Sequence, residues 1–275
     1  MIVFPNAKIN LGLKVVDKRP DGFHNIETVF FPIGLCDILE IIEARDGIFS
    51  FQSSGLQIPG DPNDNLCVRA YHLVVKEAQI PPVRIHLHKI IPMGAGLGGG
   101  SSDGAFTIKL LNNLFSLELS DQIMTGYATR LGSDCAFFIR NQTALGQGRG
   151  DQLSPVDIDL SDYKIVVVVP DVHVDTQEAY EWLDCHVNEQ NRSVQFNPLS
   201  ANVSFPMNLW KDELVNDFEL PVLSRHPEIR TIKELLYRKG AVYASMTGSG
   251  AAVYGLFKDN LTDSSGFENY FYWIG

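Results

Sequence analysis

The sequence predicts an α+β protein in two halves, on three observations. Several stretches alternate apolar and polar residues with period two, segments of helical spacing lie between them, and an acidic stretch at 157–162 divides the chain. A length of 275 residues, 45% hydrophobic and 20% charged, is enough to bury a sizeable core in one large domain or two smaller ones.

The elements follow in order. AKINLGLKVV puts Ala7, Ile9, Leu11, Leu13 and Val15 on one face and Lys8, Asn10, Gly12 and Lys14 on the other, the pattern of a half-buried strand. DKRPDGFHN has the turn chemistry of Pro20, Asp21 and Gly22. TVFFPIGLC, DILEIIEA and GIFSFQ read as further strands. NDNLCVRAYHLVVKEA reads as a helix, with Leu66, Ala70, Leu73 and Val74 on one stripe and Asn63 or Asp64 as its N-cap. VRIHLHKI returns to period two, with Val83, Ile85 and Leu87 opposite Arg84, His86 and His88. AFTIKLLNNLF is a helix with Phe106, Leu110, Leu111 and Leu114 on its stripe, and SDQIMTGYATRLG is another, capped by Ser120 and ended by Gly132. TALGQGRGDQLSPV gives two short strands around a glycine turn, and KIVVVVP is a buried strand. Residues 185–210, rich in Asn and Ser, predict a long irregular connection. PEIRTIKELLYRKG is a helix from Pro227 to a Gly240 cap, and AVYASMTGSGAAVYGLF is two strands around a second glycine turn.

Charge and cysteines narrow the function classes. A formal net charge of −11 repels nucleic acid, and it also opposes a small polyanion such as ATP. Any phosphate must therefore be held by local groups, backbone N–H dipoles and individual lysines. No apolar run approaches the ~18 residues of a membrane span, and MIVFPNAKIN lacks the pattern of a secretory signal. Cys36, Cys67, Cys135 and Cys185 form no CxxC pair, so a cytoplasmic protein with reduced thiols and no membrane partner is expected.

Residues 92–105, PMGAGLGGGSSDGA, hold six glycines. A Walker A loop is excluded, because Gly100 stands where its lysine belongs, ahead of Ser101. The spacing of Gly94, Gly96 and Gly99 imitates a dinucleotide fingerprint, with Glu118 onward. However, the preceding strand alternates, whereas a central parallel strand is apolar on both faces, and Pro92 and Met93 intervene. A flexible linker leaves unexplained the helix that starts at Ser101, Ser102 and Asp103. A strand, a bare loop and a helix N-terminus together make an anion site of non-Walker type.

This run resembles the phosphate loop of the GHMP kinase superfamily, which contains galactokinase, homoserine kinase, mevalonate kinase and phosphomevalonate kinase. PNAKINLGLKV, RPDGFHNIETVF, the LGSD before CAFFI, and MTGSGAAVYGLF follow in that superfamily's order, from about residue 3 to residue 257. Within it the chain resembles the branch that phosphorylates the 2-hydroxyl of a cytidine diphosphate derivative of methylerythritol, in non-mevalonate isoprenoid biosynthesis. The resemblance implies the two-domain GHMP kinase fold, with a half like domain 2 of ribosomal protein S5 at 1–157 and a ferredoxin-like half at 158–275. It implies an ATP-dependent phosphotransferase working with Mg²⁺ on a small molecule, as a monomer or weak homodimer; the Mg²⁺ ligands are not identified.

Carried over residue by residue, the resemblance assigns ATP contacts to Pro92, Met93, Gly94, Ala95, Gly96, Leu97, Gly98, Gly99, Gly100, Ser101 and Ser102. Lys8 is the expected catalytic lysine, beside the acceptor hydroxyl, and Asp134 the expected base. By sequence alone Asp134 fits a helix N-cap equally well. Asn10, Phe23, His24, Thr176 and Tyr180 are expected substrate contacts, with Phe23 and Tyr180 offering ring faces to cytosine. Gly248, Ser249 and Gly250 are expected to pack under the phosphate loop. His86 and His88 form an HxH pair without a third ligand and read as solvated. Departures from the family pattern are Phe23 for tyrosine, Gly104 for alanine, and Cys135-Ala136 for valine-proline. Another small-alcohol kinase of the superfamily is the first alternative, against which DGFH argues. A catalytically silent nucleotide-binding protein is the second, and it would need a lost Lys8 or Asp134.

Overall fold

The structure is a computed structural model that describes residues 1–190, 199, 206–259, 261 and 263–275. The chain runs through β1 (Ile2–Val3), β2 (Asn6–Lys18), β3 (His24–Cys36), β4 (Ile38–Glu43), β5 (Ser50–Gly55), α1 (Leu66–Ala78) and β6 (Val83–Lys89). It continues with α2 (Gly99–Phe115), α3 (Asp121–Leu131), α4 (Cys135–Arg140), β7 (Ala144–Gln147), β8 (Gln152–Pro155), β9 (Lys164–Val169) and α5 (Thr176–Gln190). Last come α6 (Trp210–Glu213), α7 (Glu219–Arg225), α8 (Pro227–Arg238), β10 (Tyr243–Met246), β11 (Val253–Phe257) and β12 (Phe271–Ile274). These fall into two units. One is drawn from Met1–Lys8, Gly34–Met93 and Gly98–Gln142, the other from Ile9–Ile33, Gly94–Leu97 and Thr143–Gly275.

The first unit carries a sheet in the order β1-β4-β6-β5, antiparallel except for the parallel β5–β6 pair. Alternation along β6 turns Val83, Ile85, Leu87 and also Lys89 inward. Four helices supply the rest of this core. Cys67, Ala70, Tyr71 and Val74 of α1 and Gly104, Thr107, Ile108 and Leu111 of α2 recur at spacings of three and four and are buried. A Cβ on Gly104 would stand 3.0 Å from that of Leu66, so glycine at this place lets α1 lie close on α2. Ser120 caps α3 by accepting from the Ile123 N–H.

The second unit holds the sheet β2-β3-β7-β8 and the fully antiparallel sheet β10-β11-β9-β12. Val166 and Val168 of β9 pack with Phe218, with Val222 of α7, and with Ile229, Ile232 and Leu236 of α8. The α8 positions again recur at three and four, which is why a helix with a charged outer face sits on this sheet.

Several expectations are corrected. β2 is buried on both faces from Asn6 to Leu13, because Lys8 and Asn10 find polar partners inside. Asn65, not Asn63 or Asp64, caps α1 by accepting from the Cys67 N–H, while Asp61 caps a preceding single turn. β5 begins at Ser50 and ends at Gly55, later than GIFSFQ suggests. α2 starts two residues before Ser101, at Gly99, with Gly98 in the left-handed region as its N-cap. Residues 185–190 are helical in α5 and Met207–Leu209 form a 3₁₀ turn, so 185–210 is not irregular throughout; 191–198 and 200–205 lie outside the described residues. β12 comes from the C-terminal segment that carries no motif. Among the described residues no helix is long and apolar enough to cross a membrane.

Phe218 is 2% exposed in the core of the second unit. Phe218→Ala should cost about 3–5 kcal/mol of stability by urea denaturation, the usual loss for emptying a buried aromatic site. A loss below about 1 kcal/mol would show that this core is not where the unit's stability lies.

Candidate active site

In the first unit, Lys8 lies on β2 with 3% of its surface exposed, and its Nζ is 3.5 Å from Asp134 Oδ2. Burial pulls the Lys8 ammonium down from the usual lysine range, while the charge and hydrogen bond of Asp134 oppose that shift. Asp134 occupies the N-cap position of α4 but accepts no capping bond from that helix. Its carboxylate faces Lys8 instead, and the capping role is not taken up. Gly98 lies against the same lysine: a Cβ there would stand 3.1 Å from the Lys8 stem and from the Phe138 ring. Ser101 follows in the first turn of α2 and is half-buried. Lys8, Asp134 and Gly98 are thus brought together at the start of α2, where the first-turn N–H groups and helix dipole favour an anion. Ser102, next on that turn, is fully buried, and its hydroxyl has no hydrogen-bond partner among the described residues.

A buried ionic cluster underlies the same helix start. Lys89 Nζ donates to Asp37 Oδ2 and, at 3.0 Å, to Asp103 Oδ2, and all three residues are at most 2% exposed. Asp37 Oδ1 also accepts from the N–H groups of Ile90 and Ile91, at 2.6 and 2.8 Å, which fixes the chain as it leaves β6. A Cβ on Gly99 would come within 2.8 Å of Lys89 Nζ, so glycine is what allows the ammonium under the first residue of α2. Burial pushes the Asp103 carboxyl up to about 8, against the pull of Lys89 and with Asp37 adding to the rise.

In the second unit, the loop residues Gly94–Leu97 lie on the turn that follows β10. Gly96 has φ +76° and a Cβ there would strike the Thr247 carbonyl oxygen at 2.1 Å. One on Gly248 would come within 3.1 Å of the Gly96 Cα, and the Ala252 N–H donates to the Ala95 carbonyl at 3.2 Å. Gly248 and Gly250 therefore support the loop backbone to backbone. Asn10 ties β2 to this turn. Its N–H donates to Thr247 Oγ1 at 3.0 Å, its Oδ1 accepts from that hydroxyl at 3.0 Å, and its Nδ2 donates to Thr28 Oγ1 at 2.9 Å. The expected substrate contact thus also holds the turn in place.

His24 is 9% exposed rather than on an open turn. Its ring stacks on Tyr180 with centroids 4.4 Å apart and planes 9° from parallel, and its Nε2 is 3.1 Å from Asp184 Oδ1. Lys18 Nζ donates to the other oxygen of Asp184 at 2.6 Å. Burial pushes the Asp184 carboxyl up, but the hydrogen bonds from Lys18 and His24 outweigh it and leave it below its ordinary range. Phe23 is not gathered into this stack; it is 56% exposed, with the Arg149 guanidinium 5.2 Å from its ring centre. Thr176 Oγ1 lies 3.0 Å from Ser249 Oγ. Pro92 and Met93 belong to the first unit, Met93 38% exposed, and Gly100 is exposed while Leu97 is buried at 1%. His86 and His88 both hydrogen-bond Ser54 Oγ, and among the described residues no group of three or more His, Cys, Asp or Glu is placed to hold a metal.

The residues that sequence reasoning missed are Lys89, Asp37, Asp103, Thr28, Thr247 and Asp184. Lys89 alone carried a signal: it continues the inward parity of Val83, Ile85 and Leu87, and a lysine on an apolar face requires a buried partner.

Comparisons with known proteins give the family and the fold. Residues 65–142 match the GHMP kinases N terminal domain, and residues 206–265 match GHMP kinases C terminal. The chain is 51% identical over 260 residues to the 4-diphosphocytidyl-2-C-methyl-D-erythritol kinase of Bacteroides thetaiotaomicron, covering 94% of this chain and 92% of that one. It is 44% identical over 277 residues to the protein of the same name from Parabacteroides distasonis, covering 100% and 99%. A crystal structure of 4-(cytidine 5'-diphospho)-2C-methyl-D-erythritol kinase superposes with a TM-score of 0.77 at 31% identity, over 93% of this chain and 90% of that one. Methanococcus jannaschii mevalonate kinase shares the fold, with a TM-score of 0.74 at 14% identity over 100% and 97%.

Lys89→Met should cost about 3–5 kcal/mol by denaturant titration, because it leaves buried carboxylates without their cation. The pH dependence has a definite sign. Folded Asp103 keeps its proton up to about 8, whereas the unfolded carboxyl loses it near 3.8, so stability falls as pH rises between those values. The melting temperature should therefore drop from pH 6 to pH 8, and Asp103→Asn should flatten that slope. Equal slopes in the two proteins would show that Asp103 does not titrate there.

Proposed function

We propose a function from one premise: this chain belongs to the 4-diphosphocytidyl-2-C-methyl-D-erythritol kinase family of the GHMP kinases. It transfers the γ-phosphoryl group of ATP to the 2-hydroxyl of 4-diphosphocytidyl-2-C-methyl-D-erythritol, giving ADP and the 2-phosphate. The observation that carries the reading is the Lys8–Asp134 pair at the bare start of α2.

The Asp134 carboxylate takes the proton of the acceptor hydroxyl as its oxygen bonds to the γ-phosphorus and the bond to the ADP oxygen breaks. The Lys8 ammonium stabilises the negative charge developing on that oxygen and on the phosphoryl group in flight. Because Lys8 is desolvated, its charge acts with little screening. N–H groups of the first turn of α2 hold the phosphates, with the γ-phosphate over Ser101 and Ser102. Mg²⁺ fits through neutral oxygens: the Ser101 and Ser102 hydroxyls, the latter unpartnered, would hold it together with phosphate oxygens. When bound it neutralises charge on the triphosphate.

The cytidine portion is read by His24 and Tyr180, supported by their stacked rings in the second unit, with Phe23, Asn10 and Thr176 as further contacts. The family's two halves divide near Asp157, and the matched segments lying on either side support that division. The protein works in the cytoplasm as a monomer or weak homodimer, and its four free cysteines fit a reducing compartment.

Purified protein incubated with ATP, Mg²⁺ and the cytidyl substrate should release ADP and the 2-phosphate. Asp134→Ala should lower turnover at least ~100-fold while ATP affinity by calorimetry stays near that of the wild type, on the usual scale for a general base. An unchanged rate would reduce Asp134 to a surface carboxylate. Turnover of homoserine or mevalonate in place of the cytidyl alcohol would reassign the acceptor.

A further inference from the structure

We propose that Asp184 is a positioning residue that fixes the hydrogen-bonding sense of His24, and thereby the preference for a pyrimidine bearing an amine over one bearing a carbonyl. The proposal rests on the reading of His24 as a contact to the cytidine portion of the substrate.

The geometry is a short relay. Lys18 Nζ holds one oxygen of Asp184 at 2.6 Å, and the other oxygen meets His24 Nε2 at 3.1 Å. A carboxylate only accepts, so Nε2 must carry the hydrogen between them. In a neutral imidazole a hydrogen on Nε2 leaves Nδ1 as a bare acceptor. Among the described residues Nδ1 has no hydrogen-bond partner, which leaves its lone pair for a ligand.

The ring cannot easily turn over to reverse this sense. One face lies on Tyr180 at 4.4 Å, and Tyr180 meets Phe218 edge-on, with centroids 4.8 Å apart and planes at 84°. Phe218 is a core residue, so the stack is anchored from behind. Turning the imidazole would also take its N–H away from Asp184 and leave that carboxylate with Lys18 alone. Cytosine presents an amino group at ring position 4, a donor. Uracil presents a carbonyl there, an acceptor. A fixed acceptor on His24 pairs with the first and faces the second lone pair to lone pair. Leaving a buried polar group unpaired is how such a site rejects the wrong ligand.

The test compares wild type, Asp184→Ala and Asp184→Asn. Steady-state kinetics with the cytidyl substrate and its uridyl counterpart give selectivity, and imidazole ¹⁵N NMR of the full-length enzyme gives the His24 tautomer. The wild type should show hydrogen on Nε2 and prefer the cytidyl substrate. Asp184→Ala should mix the tautomers and cut the cytidyl-over-uridyl ratio of kcat/KM by roughly 10-fold or more, through KM rather than kcat. Asp184→Asn, which keeps an accepting oxygen, should retain most of the selectivity. Hydrogen on Nδ1 in the wild type overturns the proposal, as does an Asp184→Ala enzyme that loses activity equally toward both substrates. In either case the wild type still phosphorylates the cytidyl substrate, so the functional reading survives. A wild type that acts on neither nucleotide alcohol overturns that reading and this inference with it.

Discussion

At the end of β6 a single buried ammonium, Lys89, meets one carboxylate from the β3–β4 junction and another from the second turn of α2. The approach to the glycine loop and the departure from it are fixed to that one charge. Taking an ammonium out of water is costly unless its hydrogens are all used. Here two go to carboxylates, and Asp37 passes its remaining capacity to the backbone. Two carboxylates around one ammonium leave an excess negative charge, and burial resolves it by raising Asp103. A protonated Asp103 also spares the helix a buried anion one turn behind the site where phosphate is expected.

Seen from this cluster, the glycines of 92–105 have separate reasons. Gly96 lies on the Thr247 carbonyl, Gly98 on the Lys8 stem and the Phe138 ring, and Gly99 over the Lys89 ammonium. A side chain at any of the three would displace a neighbour that the site needs. The conformational entropy lost in so glycine-rich a run is therefore set against protein contacts as well as against the approach of a ligand. Gly104 adds a fourth case, since its missing Cβ is the space in which Leu66 and α1 settle.

Much of this was legible in the sequence because local chemistry dictated it. The alternation in β6, the Ser120 cap, the apolar run of β9 and the glycine turn between β10 and β11 all follow from spacing and turn chemistry. What stayed hidden depends on partners distant in the chain. Asn10 reads as one polar residue on a half-polar strand until Thr247, 237 residues away, arrives beside it. His24 reads as an exposed turn residue until Tyr180 and Asp184 enclose it. Asp134 reads equally as a cap, and nothing local to α4 shows that its carboxylate turns to Lys8 instead. Periodicity reports which face is apolar, and says nothing about which buried polar group will find its counterpart.

The contact between Gly96 and the 247–250 turn also bears on the order in which the protein is made. Synthesis begins at the N-terminus, and early segments fold while later ones are still being added. Gly94–Leu97 emerge long before Thr247, Gly248 and Gly250, on which their backbone lies. Until those residues leave the ribosome, this part of the loop has nothing to rest against. A segment made early is therefore among the last to take its shape, and a chain that stops short of residue 250 would carry the glycine motif without the surface that forms it.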